Sequence, residues 1–390
     1  MASAGAVVVG GELNGLGVVR SLALGGIPVT VVETAGDRAA LWSRHARSVI
    51  VRSFAGRAFV EDLVALGKTF ARRPVLLLTD EFAVHAVSEH RGELARHFRF
   101  RLPPDATVKL LSDKTLFHAF AQERGFAVPR TAVLATTDDL PRLADLRYPC
   151  VIKPNDKRRV LSGLDERAVR VADPRAAARE AAAMLRHPGA IVAQEWIAGP
   201  ESNIHFTLFY RGRGGRVVAQ FTGRKLLCHP RDIGSTAACV AAPAAAAELE
   251  ATTEAFAAKV GFEGLGSMEY KWDDMHSRFV MIEPTVGRTD WQEEIATLCG
   301  VNIPLAAFRH ETGLPPLPPP RPQPSIAWRS SFAQRPPAAL LPPGSAVRDG
   351  YWRWSDPLPA WSYYVMGGAP RRLFGRWLGP HAARARVARQ

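Results

Sequence analysis

The sequence predicts a chain of mixed α/β and α+β class, with a parallel-sheet domain first and a larger body of strands and helices after it. Three observations carry this. Residues 5–34 read strand, glycine-rich turn, helix, strand, which is the βαβ unit that joins parallel strands. From Ser112 to about residue 310, short apolar strands alternate with helices and end in a hairpin. At Gly313 the composition shifts to proline and aromatics, so a third segment starts there.

In the first unit, Ala6–Val9 is a strand, Gly10-Gly11-Glu-Leu-Asn-Gly15-Leu-Gly17 a turn, Val18–Leu24 a helix and Pro28–Glu33 the second strand. The glycines look like a dinucleotide fingerprint, but the spacing is not GxGxxG, which argues against NAD or FAD. Val75–Thr79 is another buried strand, and Leu102-Pro-Pro-Asp105 closes a domain placed at residues 1–106. Ser112 or Asp113 caps a helix running to about Gly125. Thr131–Leu134 is a strand, Asp138–Leu146 a short helix, and Tyr148–Pro154 a strand that ends in Lys153. The alanine-rich Pro174–Arg186 is a helix. Ala190–Ile197, Asn203–Tyr210 and Val217–Thr222 are strands, and Ala244–Val260 is a helix. This body is placed at residues 107–313, with a lobe at about 126–195. Residues 314–390 open on a polyproline-type strap to Pro324. Trp328, Tyr351, Trp352, Trp354, Trp361, Tyr363 and Tyr364 follow and are expected to pack onto the main body. A basic, frayed end runs from Arg371 to Gln390.

At 390 residues, 47% hydrophobic and 22% charged, the chain can bury a sizeable core. No run reaches transmembrane length, and the apolar start lacks a basic lead-in, so a cytoplasmic protein is expected. Cys150, Cys228, Cys239 and Cys299 are scattered and form no CxxC, against a zinc site or disulfide framework. The net charge of +13 is spread along the chain without a nucleic-acid-binding signature, so no nucleic-acid partner is expected. Only eight of the fifty basic residues are lysines, which draws attention to where they fall.

The most informative feature is a pair of glutamates. Glu269 lies in Gly266-Ser-Met-Glu-Tyr-Lys271 and Glu283 in Val280-Met-Ile-Glu-Pro-Thr-Val-Gly-Arg288, with a polar turn at Asp273–Ser277 between them. A hairpin centred on His276 sets the two directly opposite each other on one face. Like charges so placed destabilise a sheet, and a divalent cation would compensate them. Lys153 at a strand end and Lys114 in the first turn of a helix are placed to reach phosphates. Gln194-Glu-Trp-Ile-Ala-Gly-Pro-Glu201 is a strand, hinge and turn of the kind that can read an adenine edge and a ribose. Arg224 and Lys225 follow a strand.

The order Lys114, Lys153, Gln194–Glu201, Lys225, Glu269, Glu283 resembles the ATP-grasp superfamily over about residues 107–310. Residues 1–106 look like the Rossmann-like domain that usually precedes it. Within the superfamily the chain is most similar to carboxylate–amine ligases such as the D-aspartate ligase group. The resemblance implies ATP held between two α+β lobes, with Mg²⁺ or Mn²⁺. Lys114 and Lys153 would hold the α- and β-phosphates. Gln194, Glu195 and the backbone of Trp196 and Ile197 would face adenine, and Glu201 the ribose. Lys225 would reach the γ-phosphate with Arg224 beside it. Glu269, Glu283 and Thr285 would bind metal, and Arg288 would hold a substrate carboxylate or acyl phosphate. The implied partners are small-molecule carboxylate and amine substrates, and homodimers are common in the superfamily.

Two departures stand out. Thr285 occupies the place where the family usually has asparagine. The lid loop, usually glycine-rich, reads Asn155-Asp-Lys-Arg-Arg159, in which Lys157, Arg158 or Arg159 would supply charge in place of backbone amides. The expected reaction is ATP-dependent C–N ligation through an acyl phosphate, releasing ADP and phosphate. Asp290, Glu293 and Glu294 are candidates for the general base. The rival readings are a nucleotide-binding regulatory or assembly module with this fold, and an enzyme whose product is a phosphorylated small molecule.

Overall fold

Valine- and leucine-rich runs buried on both faces are what a parallel sheet requires, and three of the four strands of the first sheet are such runs, the fourth, Ala46–Ile50, being a largely exposed edge strand. The strands of this sheet are β1 (Ala6–Val9), β2 (Val29–Glu33), β3 (Ala46–Ile50) and β4 (Val75–Leu78), all parallel, in the order β3-β2-β1-β4. The computed structural model describes residues 4–155, 168–232, 234–319 and 325–367. The lid segment with Lys157, Arg158 and Arg159, and the basic end from Arg371, lie outside the described residues. The turn glycines have a packing role in this sheet. The helix Leu13–Ala23 comes so close to β1 that a Cβ on Gly15 would collide with the Gly10 carbonyl.

A second, smaller sheet forms a lobe: β5 (Thr131–Leu134), β6 (Cys150–Pro154), β7 (Val169–Val171) and β8 (Ile191–Glu195), antiparallel in the order β5-β8-β6-β7. The helix Pro174–Met184 covers it, with Asp173 accepting from the Ala176 N–H as its cap. Leu134, Cys150, Ile152, Ala181 and Ile191 make its separate apolar core.

The third sheet has seven strands: β9 (Ile204–Arg211), β10 (Val217–His229), β11 (Ser235–Ala241), β12 (Gly264–Asp273), β13 (Arg278–Val286), β14 (Ile326–Arg329) and β15 (Ala346–Asp349). Their order is β13-β12-β9-β10-β11-β14-β15. The last two strands come from the chain beyond the proline-rich strap, so this part of the C-terminal segment extends the sheet. Trp328 and Tyr351 are buried there, as expected of the aromatics, whereas Trp354 is 88% exposed and Trp361 54%.

Several elements escaped the sequence reading, among them β3, β7, β11, β14, β15 and the helices Gly56–Gly67 and Glu81–Glu89. A helix, Asp105–Ser112, precedes the one capped by Asp113, which spans Lys114–Glu123. Strand β10 does not stop at Thr222 but continues through Arg224 and Lys225. No helix among the described residues is long and apolar enough to cross a membrane.

Candidate active site

β12 and β13 pair antiparallel with Glu269 opposite Glu283 and Ser267 opposite Thr285. The turn ladder ends at Asp273 opposite Arg278, and a bulge at Ile282 restores the register that sets the glutamates face to face. Each carboxylate has a lysine against it. Lys225 Nζ lies 2.6 Å from Glu269 Oε2, and Lys114 Nζ lies 3.0 Å from Glu283 Oε1. The like charges that a bare pair would set against each other are thus balanced by cations from β10 and from a helix start. Burial alone would lower the Lys225 pKa, but Glu269 outweighs it and holds the ammonium above its ordinary value.

Arg224 does not join Lys225. Neighbouring strand residues point to opposite faces, and Arg224 donates to the Leu340 carbonyl instead. Lys114, Glu283, Thr285 and Arg288 line one small cavity, together with Glu81 and Ser112. Arg288 lies 3.6 Å from Glu81 and donates to the Thr289 carbonyl.

Lys153 stands on β6 of the lobe and donates to Gln194 Oε1 at 3.0 Å. A lysine only donates, so that amide must turn its NH2 the other way. There it meets His118 Nε2 at 2.7 Å and Thr131 Oγ1 at 3.1 Å. His118 therefore accepts at Nε2 and is neutral. Burial first, then the nearby Lys153 charge, push its pKa down to about 3. Sequence reasoning missed His118. Its position one helical turn beyond Lys114 was the available signal.

The remaining expected residues separate into two groups. Glu195 turns to the face opposite Gln194, where it accepts from the Arg147 backbone N–H at 2.9 Å, so its side chain does not face the cleft with Gln194. Trp196 lies against two cations, with the Arg170 guanidinium 4.8 Å and Lys271 Nζ 4.7 Å from its ring centroid. Lys271 is buried, with its pKa lowered chiefly by that burial. Its place on β12 two residues beyond Glu269 could have marked it. Glu201 accepts backbone N–H groups with both oxygens, from Cys228 at 3.0 Å and Asp232 at 2.7 Å. It ties the end of β10 to the hinge.

Of the three carboxylates beyond Arg288, Asp290 accepts from Ser267 Oγ at 2.9 Å and from Gln292 Nε2 at 3.0 Å. Glu293 is buried. Burial and the Asp290 charge push its pKa up to about 8. Glu294 accepts from Trp328 Nε1 at 3.0 Å and pairs with Arg20 at 3.7 Å. Asn155, at the exit of β6, accepts from the Thr115 N–H and hydroxyl and donates to Asp113 at 2.7 Å. It latches the lobe to the helix that carries Lys114.

Among the described residues no group of three or more His, Cys, Asp or Glu side chains forms a ready cage for a metal. The donor set that is present, two carboxylates with the hydroxyl-bearing Thr285 and Ser267 on the same face, is made of hard oxygens. That fits Mg²⁺, which binds through one or two carboxylates and completes its shell with water and phosphate.

No family model matches the sequence, and no curated protein matches it. Solved structures do. The ADP complex of an N5-carboxyaminoimidazole ribonucleotide synthetase aligns at a TM-score of 0.66 and 13% identity, over 83% of this chain and 80% of that one. The same synthetase from Thermus thermophilus aligns at 0.64 and 17%, over 86% and 85%. The biotin carboxylase domain dimer of 2-oxoglutarate carboxylase from Hydrogenobacter thermophilus, solved with MgADP, ADP and bicarbonate, aligns at 0.61 and 15%, over 82% and 71%.

Proposed function

We propose, from the premise that this chain has the ATP-grasp fold, that it is an ATP- and Mg²⁺-dependent ligase joining a small-molecule carboxylate to an amine. The observation that carries the proposal is the double pairing of Glu269 with Lys225 and Glu283 with Lys114 on one face of a hairpin. Four charges in this arrangement can exchange partners. Phosphate oxygens would draw the lysines, and the released carboxylates would take the metal with Thr285. The bound metal would supply charge neutralisation at the transferring phosphoryl group. That the matched structures include ADP and MgADP complexes supports the same reading.

In this reading Lys153 and Lys114 hold the α- and β-phosphates and Lys225 the γ-phosphate. Gln194, fixed by His118, keeps the Lys153 ammonium aimed into the cleft. Arg288 holds the substrate carboxylate. An oxygen of that carboxylate attacks the γ-phosphorus, ADP leaves, and an acyl phosphate forms. The amine nitrogen then attacks the acyl carbon, the bond from that carbon to the bridging oxygen breaks, and phosphate leaves with that oxygen and the electron pair. The amine proton needs an acceptor. Asp290 is the best placed of the three candidates, because Glu294 is committed to Arg20 and Trp328 and Glu293 holds its own proton at neutral pH. The ribose role of Glu201 rests on the lone pairs its two backbone contacts leave over.

Lys153→Ala and Glu283→Ala should each lower ADP formation by at least about a hundredfold. The measurement is phosphate and ADP release with Mg·ATP across a panel of amino acids and short peptides as amines. Full turnover in either variant would sink the site assignment. Thr285 favours a second reading, a nucleotide-binding module of regulatory or assembly type. ATP binding without ADP release in any amine or carboxylate combination would select it.

A further inference from the structure

A second cavity, of about 600 Å³, lies away from the paired glutamates. One wall is the segment Phe98–Leu102, which runs beside β4: the Leu76 N–H donates to the Arg99 carbonyl at 2.8 Å, and the Arg99 N–H to the Pro74 carbonyl at 2.9 Å. The other wall is Arg213 after β9, Glu263 just before β12, and Glu311 near the end of the helix Ile303–Thr312. Along β12, Glu269 is six residues beyond Glu263, roughly 20 Å at strand rise. This cavity is therefore distinct from the nucleotide cleft.

Its lining is strongly cationic. Arg73, Arg91, Arg99, Arg101 and Arg213 face two carboxylates. Both carboxylates are spent on one arginine: Arg101 pairs with Glu263 at 2.7 Å and with Glu311 at 2.7 Å. Glu263 also accepts from the Gly214 N–H, and Glu311 from the Tyr210 hydroxyl. Among the described residues, none of the other four arginines makes an ion pair. Arg73 donates to the Ala95 carbonyl at 2.7 Å, Arg91 to the Pro103 carbonyl at 2.8 Å, and Arg99 to the Glu311 carbonyl at 3.1 Å. Arg99 Nε is buried without a hydrogen-bond partner. Carbonyl dipoles orient these guanidiniums but do not neutralise them. Counting five guanidiniums against two carboxylates leaves three positive charges focused in one concavity.

We propose that this cavity is a binding site for a small multivalent oxyanion, one that presents phosphoryl or carboxylate groups to the arginine forks. Arginine is the residue suited to such recognition, because its planar donors match two oxygens at once. The volume lies within the range of small-molecule sites. Hydrogen bonds to the main chain fix the directions of the Arg73, Arg91 and Arg99 guanidiniums before the anion arrives, which lowers the ordering cost of binding.

The test uses the full chain and two probes, inorganic pyrophosphate and citrate, titrated calorimetrically at low salt. At least one should bind saturably, and the one that does identifies whether phosphoryl or carboxylate groups are preferred. The double variant Arg73→Gln/Arg213→Gln should weaken that binding by about tenfold or more. Neither substituted residue lies in the nucleotide cleft, so the lost affinity reports this cavity alone. Arg213→Gln by itself, on a surface loop, should give about a threefold loss and serves if the pair misfolds. Failure of both anions to bind, or equal affinity in wild type and a folded variant, would overturn the proposal.

Discussion

Burying an ammonium in an apolar surrounding ordinarily strips its proton, yet Lys225 stays charged because Glu269 lies 2.6 Å away. The glutamates at the hairpin could be found in the sequence because their spacing about a polar turn placed them opposite each other. Their lysine partners could not be assigned, since Lys225 and Lys114 arrive from elements distant in the chain. Glu293 is the opposite case, a carboxyl buried beside another acid. The unfolded chain would release its proton near 4.5, while the folded chain keeps it to about 8. Between those values the native state binds more protons than the unfolded state, so stability falls as pH rises. The contribution is fully present below the unfolded pKa and gone above about 8. Glu293→Gln cannot ionise, so its stability should lack this decline, and the variant should gain on wild type by a few degrees in unfolding temperature between pH 5 and pH 9. Parallel profiles over that range would refute the assignment of Glu293 as a protonated acid.

At the scale of elements, the hairpin register was legible but the means of reaching it was not. Alternation and a turn signal are read two residues at a time, and the bulge at Ile282 leaves no local mark in so apolar a run. The hinge after β8 was legible from Gly-Pro. Its physical role depends on Gly199, which has a φ of 107° and whose missing Cβ would sit 2.5 Å from Asn203 Nδ2. Asn203 in turn donates to Asp274 in the β12–β13 turn at 3.1 Å. Gly199→Ala should therefore cost about 1–3 kcal/mol from backbone strain and push the hinge off that turn. Because Glu201 and the backbone of Trp196 and Ile197 belong to the same hinge, the variant should also bind ATP more weakly. Denaturant unfolding and nucleotide titration read the two effects, and unchanged values in both would remove the hinge from the site.

For the whole molecule, the question is whether the chain after the proline strap is an appendage or part of the core. Composition marked a boundary at Gly313, but β14 (Ile-Ala-Trp-Arg) and β15 (Ala-Val-Arg-Asp) carry neither strict alternation nor an apolar run of four, so neither declares itself a strand. Their role is settled by long-range contacts that no local window contains. Arg20, on the helix that follows β1, is buried, and its guanidinium is held from the far end of the chain. It donates to the Gly350 and Tyr351 carbonyls at 2.7 Å each and to Asp356 at 3.0 Å. Asp356, 1% exposed, also accepts from Ser43 Oγ and from the Arg44 N–H. Removing this carboxylate leaves a buried cation with Glu294 at 3.7 Å as its nearest counter-charge. Asp356→Ala should accordingly cost about 3 kcal/mol or more in urea unfolding, in the range seen when one partner of a buried ion pair is deleted. Trp354→Ala, nearby but exposed, should stay within about 0.5 kcal/mol of wild type. If both variants proved equally mild, the C-terminal segment would be a strap laid over the surface; a large loss in the first alone makes it a structural clamp that holds the first sheet to the seven-stranded sheet bearing the paired glutamates.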